Sequence, residues 1–316
     1  MKLHQYPNDF IELIRLSAKQ FNIAAGFVEK DYWLTLILSR LSQSSNSENV
    51  VFKGGTSLSK AYRLVNRFSE DIDLAMINEN LSGNALKTKI RTVEKEITSE
   101  LNEIVEPDIT SKGSLYRKSL FTYPTLITDI STMPKRIIVE INAFANPYPY
   151  VKQEVSSFIT EYLLVTNQQE VIEQYGLLPF SLNVLDKRRT MVEKLISLFR
   201  FSFSEDATKA IASKIRHFYD LYYLTNDAEC AEYIQSPNFL NDLSDLLAHD
   251  QLAFDEPIGW QTKTIAESPL VTTFPTLWEG LRSTYQMELS QLAFGTIPDE
   301  KLVADSFMKI MSCNEK

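Results

Sequence analysis

Cysteine is nearly absent from this chain, with only Cys230 and Cys313 in 316 residues. Neither belongs to a close-spaced pair with histidines around it, which excludes a disulfide framework and argues against a structural zinc site. Glycine and proline are sparse as well, at 9 and 12, so a collagen-like, fibrous or mostly disordered chain is excluded. No window approaches the ~20 apolar residues of a membrane-spanning helix. The N-terminal run MKLHQYPNDFIELIRL lacks the uninterrupted apolar stretch of a signal peptide. A soluble cytoplasmic protein with no membrane partner is therefore expected. Positive charge is also in deficit: Lys plus Arg is 32 against Asp plus Glu 41, a net charge of -9. Binding along a nucleic-acid surface rests on neutralising phosphates, so coating by overall charge is excluded. A small basic patch beside an acidic site is not.

What is present is a large apolar fraction, 44% of 316 residues, enough for two domains or one large domain with an appendage. Residues 9 to 41 read as helical, with Trp33, Leu34, Ile37, Leu38 and Leu41 recurring on one face. A short strand, Val50-Val51-Phe52, meets Lys53-Gly54-Gly55, after which Thr56-Ser57 can cap a helix through Leu64. Asp71 to Met76 reads as a second strand, 84 to 104 as a charged amphipathic helix, and Leu115 to Tyr123 and Arg136 to Phe144 as strands. Asn146-Pro147-Tyr148-Pro149 ends the last of these, and Phe180 to Leu185 follows as one more strand. Helices are expected near 190 to 201 and 207 to 225, then onward to the C-terminus, with loops at 236–238 and 255–257. The division falls near residue 185, giving domains 1–185 and 186–316.

The stretch from Phe52 to Leu74 carries the chemistry. On a strand, positions i and i+2 share a face, so Asp71 and Asp73 project together while Ile72 and Leu74 face the core. Two convergent carboxylates repel and are costly to desolvate unless a cation compensates. A hard divalent ion, Mg²⁺ or Mn²⁺, is the natural one, and Mg²⁺ typically uses one or two carboxylates plus substrate phosphates. The Gly54-Gly55 turn lets backbone N–H groups approach a phosphate. Cradle and carboxylates together are the minimum kit for two-metal phosphoryl or nucleotidyl transfer. Taken singly, a Gly-Gly is usually a turn and an Asp-x-Asp a solvated strand edge.

The composite Gly-Gly-Thr-Ser, a helix, then Arg67-Phe68-Ser69-Glu70-Asp71-Ile72-Asp73-Leu74 resembles the signature of the DNA polymerase beta-like nucleotidyltransferases, and specifically of the AbiEii/AbiGii toxin family with its MenT-like type IV toxins. Glu29-Lys30-Asp31-Tyr32-Trp33, Glu193-Lys194-Leu195 and Arg216-His217-Phe218-Tyr219-Asp220-Leu221-Tyr222 extend the resemblance in the same order over about 28 to 225. Fifteen residues lie between Gly55 and Asp71, more than is usual across the wider superfamily and tolerated in the toxin branch. The resemblance implies an α/β (α+β) fold: a small mixed-sheet nucleotidyltransferase core with N-terminal helices, and a helical C-terminal domain completing the nucleotide site.

It further implies that Asp71, Asp73 and a third carboxylate on a later strand hold metal. Glu140, in Ile-Ile-Val-Glu-Ile-Asn, is the candidate, and Asp129 a weaker one; an edge carboxylate facing water is the plain alternative for Glu140. Lys194 would reach the triphosphate, against an ordinary solvated Lys, while Thr190 to Glu193 fits a capping box. Asp220 would orient Lys194 or the nucleotide, against a plain i,i+4 pair with Arg216. His217 reads as a packed histidine. Gly54, Gly55, Thr56, Ser57 and Ser69 would bind or shape around phosphate, with helix capping the commoner role for Ser57. Arg67 would pair with Asp71 or contact phosphate. Lys112, Arg117, Lys118, Lys135, Arg136 and Lys187-Arg188-Arg189 would form a local basic rim. The implied reaction moves NMP from an NTP to an acceptor, foremost the 3′ end of tRNA, by the toxin of a toxin-antitoxin or phage-defence pair with a cognate antitoxin. Transfer to a protein hydroxyl or small molecule, and a non-catalytic nucleotide-binding module, are the rival readings.

Overall fold

A computed structural model describes residues 1–69, 71–77, 81, 83–128, 134–145 and 147–312. Asp129, Asn146 and Cys313 lie outside the described residues. The chain divides into two compact units, one of Met1–Arg63 with Phe68–Leu185 and one of Leu64–Arg67 with Asp186–Lys316.

The first unit contains α1 (Pro7–Phe21), α2 (Ala25–Gln43), β1 (Val50–Lys53), α3 (Gly54–Lys60), β2 (Asp71–Met76), α4 (Gly83–Ile97), β3 (Asn102–Ile104), β4 (Ser111–Lys112), β5 (Tyr116–Thr122), β6 (Arg136–Asn142), β7 (Tyr150–Val155), α5 (Phe158–Val165), α6 (Gln169–Tyr175) and β8 (Phe180–Leu185). The strands form one mixed sheet in the order β3-β5-β6-β2-β1-β8-β7, with β4 on β5. β2 runs antiparallel to β1 and parallel to β6. α2 is buried along nearly its whole length and packs against α1, α4, α5 and β8. Its Trp33, Leu34, Ile37, Leu38 and Leu41 all enter the core.

The differences from the sequence expectation have local causes. The expected helical stretch 9–41 is two helices, because Asn22 takes the left-handed conformation (φ 53°) that ends α1. The helix expected over 84–104 stops at Ile97, and Asn102–Ile104 instead pairs with β5. β7, unread in the sequence, finds its partner in β8, with Tyr150 opposite Leu185 and Val155 opposite Phe180.

The second unit is helical: α7 (Lys187–Ser202), α8 (Ala207–Ala212), α9 (Arg216–Thr225), α10 (Ala228–Ile234), α11 (Pro237–Ala253), α12 (Pro269–Thr272), α13 (Phe274–Leu292) and α14 (Glu300–Ser312). Phe218 of α9 packs edge-on against Trp278 of α13 and Phe307 of α14, at centroid distances of 5.1 and 5.0 Å. The helix expected over 207–225 is broken between Ala212 and Arg216, where Lys214 and Ile215 bond three residues back rather than four. Ser236-Pro237-Asn238, expected as a loop, starts α11, with Ser236 at the N-cap and Pro237 at the first helical position. Among the described residues no helix is long and apolar enough to cross a membrane.

Candidate active site

The first unit gathers charge on one face of its sheet. Ile72 and Leu74 are fully buried, whereas Asp71 and Asp73 are half-buried on the opposite face, as strand alternation requires. Directly opposite Asp73 stand Lys53 of β1 and Glu140 of β6, and opposite Glu140 stands Lys118 of β5. Residues directly opposite share a face, so Lys53, Asp73, Glu140 and Lys118 form a row across four strands in which two adjacent acidic residues are flanked by a lysine on either side.

Glu140 is tightly engaged. Lys118 Nζ lies 2.7 Å from its Oε1, and the Tyr116 hydroxyl donates to its Oε2 at 2.9 Å. Burial lowers the Lys118 pKa, but the bond and charge of Glu140 and the charges of Asp71 and Asp73 outweigh it and raise the pKa above the usual lysine value. Burial and the neighbouring Glu140 push the Tyr116 hydroxyl well up, so it remains a donor.

The turn before the carboxylates is built for close approach. Gly54 opens α3 with φ +80°, and a Cβ there would stand 2.0 Å from Asp73 Oδ2. Gly55 lies in the first turn of α3. Thr56, buried, donates its hydroxyl to the Asp71 carbonyl, tying α3 to the start of β2. Ser57 is not a helix cap: the helix starts at Gly54, and the Ser57 hydroxyl donates back to the Gly54 carbonyl at 2.8 Å. Ser69 is half-buried two residues before Asp71.

The Glu29-Lys30-Asp31 block is a buried fastener. Glu29 accepts from the Leu126 N–H at 2.6 Å and the Thr125 hydroxyl at 2.7 Å. Lys30 donates to the Pro134 carbonyl at 3.2 Å. Asp31 pairs with Lys60 at the end of α3 and accepts from the Phe158 N–H at 2.9 Å.

These residues decide how far a metal fits. Asp71 and Asp73 offer hard oxygen donors on one face, which suits a hard divalent cation, and the missing Gly54 side chain is what admits the Asp73 carboxylate to its place. Glu140 is in register with them, and each of its oxygens already accepts one bond, from Lys118 and from Tyr116. Among the described residues no three His, Cys, Asp or Glu side chains form an assembled metal-holding group.

The second unit holds a different cluster. Arg67 grips Asp220 with two parallel bonds, Nε to Oδ1 at 2.7 Å and Nη2 to Oδ2 at 2.6 Å. Lys194 Nζ lies 2.7 Å from the same Oδ2. Arg67, Asp220 and Lys194 are 3%, 0% and 5% exposed. Burial pushes the Asp220 carboxyl up, but the charges and bonds of Arg67 and Lys194 more than reverse this and hold it well below the usual carboxylate range. Burial and then the Lys194 charge push His217 well below its ordinary value, so the imidazole is neutral. Arg216, the plain i,i+4 alternative for Asp220, faces Glu288 at 3.9 Å instead. The expected capping box at Thr190 to Glu193 is absent, because α7 begins earlier with Asp186 as its N-cap, accepting from the Arg188 N–H at 2.8 Å.

The expected basic rim is largely engaged with acidic partners, while Lys112 and Arg188 stay exposed. Lys112 pairs with Glu103, Arg117 with Glu94, Lys118 with Glu140, Arg136 with Glu106, Lys187 with Asp227 and Arg188 with Asp186. Lys135 donates to the Ile127 carbonyl. Arg189 differs, its Nε being buried without a partner. Tyr116 is the member of the carboxylate face that sequence reasoning missed. It stands two residues before Lys118 on the same strand face, but only the β5–β6 register shows that this face meets Glu140.

The family described as "Nucleotidyl transferase AbiEii toxin, Type IV TA system" matches residues 36–304. Among solved structures, the chain is similar to MenT4, a nucleotidyltransferase toxin from Mycobacterium tuberculosis H37Rv, at 18% identity and a TM-score of 0.45, over 95% of this chain and 97% of that one. No curated protein sequence matches.

Proposed function

Because the chain belongs to the AbiEii nucleotidyltransferase toxin family, we propose that it transfers a nucleoside monophosphate from an NTP to the 3′ end of a tRNA. The acceptor hydroxyl oxygen bonds to the α-phosphorus, the bond from that phosphorus to the bridging oxygen breaks, and pyrophosphate leaves. Asp71 and Asp73 hold Mg²⁺ or Mn²⁺, which when bound offsets the negative charge of the phosphates. The Gly54-Gly55 turn, with Ser57 and Ser69 beside it, receives phosphate. Glu140, fixed by Lys118 and Tyr116, accepts the acceptor proton, and Lys194, oriented by Asp220, contacts the triphosphate. The family is that of type IV toxin-antitoxin systems, which implies a cognate antitoxin. The observation that carries this reading is the Gly54 backbone set against the Asp73 carboxylate, beside Asp71 on the same face.

The test is incubation of the purified chain with Mg²⁺, total tRNA and each labelled NTP in turn. Label joined to tRNA, with a product one or more nucleotides longer by mass, is the expected result. Label on protein with tRNA unchanged assigns the acceptor to a protein hydroxyl. Absence of label anywhere, with toxicity kept by an Asp71→Ala, Asp73→Ala chain, establishes the non-catalytic reading.

Gly54→Ala tests the cradle. An L side chain at positive φ costs about 1–2 kcal/mol, and the new methyl must displace the Asp73 carboxylate. A misplacement of about 1 Å is worth about 100-fold in rate, so turnover falls by at least that much while the melting temperature drops by only a few degrees. Turnover within threefold of wild type would remove Gly54 from the site.

A further inference from the structure

The strongest unassigned arrangement lies in the second unit, where a loop remote in sequence closes on the backbone of Arg67. After α13 the chain turns at 293–298. Ala293 forms an antiparallel bridge with Arg67, and the Phe294 N–H donates to the Asn66 carbonyl at 3.0 Å. Gly295 lies so close that a Cβ on it would come 2.7 Å from Asn66 Cβ. The Tyr223 hydroxyl of α9 then donates to the Thr296 carbonyl at 3.1 Å, and the Tyr285 hydroxyl of α13 to the Pro298 carbonyl at 3.0 Å. Segment 64–67 belongs to this unit although the residues on either side of it do not.

The contacts form a ring. Helix α9 holds the Arg67 guanidinium through Asp220 and, three residues on, holds the loop through Tyr223; the loop in turn holds the Arg67 backbone. Asp220 Oδ2 accepts from both Arg67 and Lys194, so a displacement of Arg67 shifts the anchor of Lys194. The guanidinium of Arg67 is therefore fixed by the Asp220 carboxylate of α9, and its backbone by a loop that contributes no charge of its own.

We propose that residues 293–296 are a positioning strap for nucleotide binding, setting Lys194 through Arg67 and Asp220, with Gly295 as the residue that lets the strap close on Asn66. The inference rests on the reading of Lys194 as a contact of the triphosphate. Gly295 and Tyr223 are positioning residues and touch no substrate.

The experiment measures Kd for each of the four ribonucleoside triphosphates with Mg²⁺ by calorimetry, together with KM, kcat on total tRNA and melting temperature. Gly295→Ala is expected to raise Kd and KM about tenfold with kcat changed less than about twofold, and the Asn66→Gly, Gly295→Ala double variant, which removes the overlapping Cβ, to restore both. Tyr223→Phe moves Kd in the same direction by a smaller factor, and decides the matter should Gly295→Ala fail to fold. Lys194→Ala is the reference arm. If it weakens nucleotide binding while Gly295→Ala and Tyr223→Phe leave Kd unchanged, the strap is overturned and Lys194 keeps its role. If Lys194→Ala leaves Kd unchanged, the reading of Lys194 fails and the strap with it. A fall in melting temperature and kcat with unchanged Kd, or a double variant no better than Gly295→Ala, reduces the loop to a structural element and also overturns the proposal.

Discussion

Asp73→Asn removes nucleotidyl transfer, by about 1000-fold or more, from a chain that still folds. The size follows from what the face contributes. A bound hard cation with its carboxylates is worth several kcal/mol of transition-state stabilisation, and each 1.4 kcal/mol is about tenfold in rate. The amide keeps the volume of the side chain beside Gly54 but loses the charge that a hard cation requires. The fold is spared for two reasons. Asp73 is only half-buried, and its neighbour Asp71 on the same face repels it, so loss of one charge relieves as well as removes. Parallel measurement of turnover and thermal melting makes the case: a melting temperature within a few degrees of wild type alongside lost turnover assigns Asp73 to chemistry. Activity within tenfold of wild type would take it out of the machinery.

Asp71 and Asp73 were legible in the sequence because a period of two is a local property: alternation with Ile72 and Leu74 needs no knowledge of the rest of the fold. Glu140 was legible for a related reason, being a charge inside an apolar strand. Its partners were not. Lys118 and Tyr116 reach Glu140 only because β5 pairs antiparallel with β6 in one particular register, and a shift of one residue would send both side chains to the other face. The same limit governs Asp220, whose visible neighbour was Arg216, four residues earlier. Its actual partner is Arg67, 153 residues away, delivered by a four-residue excursion of the chain into the second unit. Lys and Arg could be counted in the sequence, but whether they faced solvent could not. Most of the expected rim is paired with carboxylates, and Lys112 and Arg188 nevertheless remain exposed.

Asp220→Ala is expected to destabilise the chain by about 3–5 kcal/mol, because it leaves two buried cations, Arg67 and Lys194, without their shared counter-charge. The pH dependence identifies the cause. The folded Asp220 carboxyl titrates well below the ordinary carboxylate range, so in acid the unfolded chain takes up its proton before the folded one does. Its contribution is complete above the unfolded value and is lost as pH falls from about 5 towards the lowered folded value. His217 adds a separate loss. Its folded value lies well below the ordinary histidine value, so the unfolded chain gains a proton first as pH drops through about 6.5; this loss is present in both proteins. Urea unfolding at pH 7, 5 and 3 should therefore show wild type and Asp220→Ala parallel between pH 7 and 5, then converging below 5 as wild type alone loses the carboxylate. A gap that stays constant down to pH 3 would mean that Asp220 contributes shape and not charge. That result would also detach Lys194 from the electrostatic anchor on which its proposed grip on the triphosphate depends.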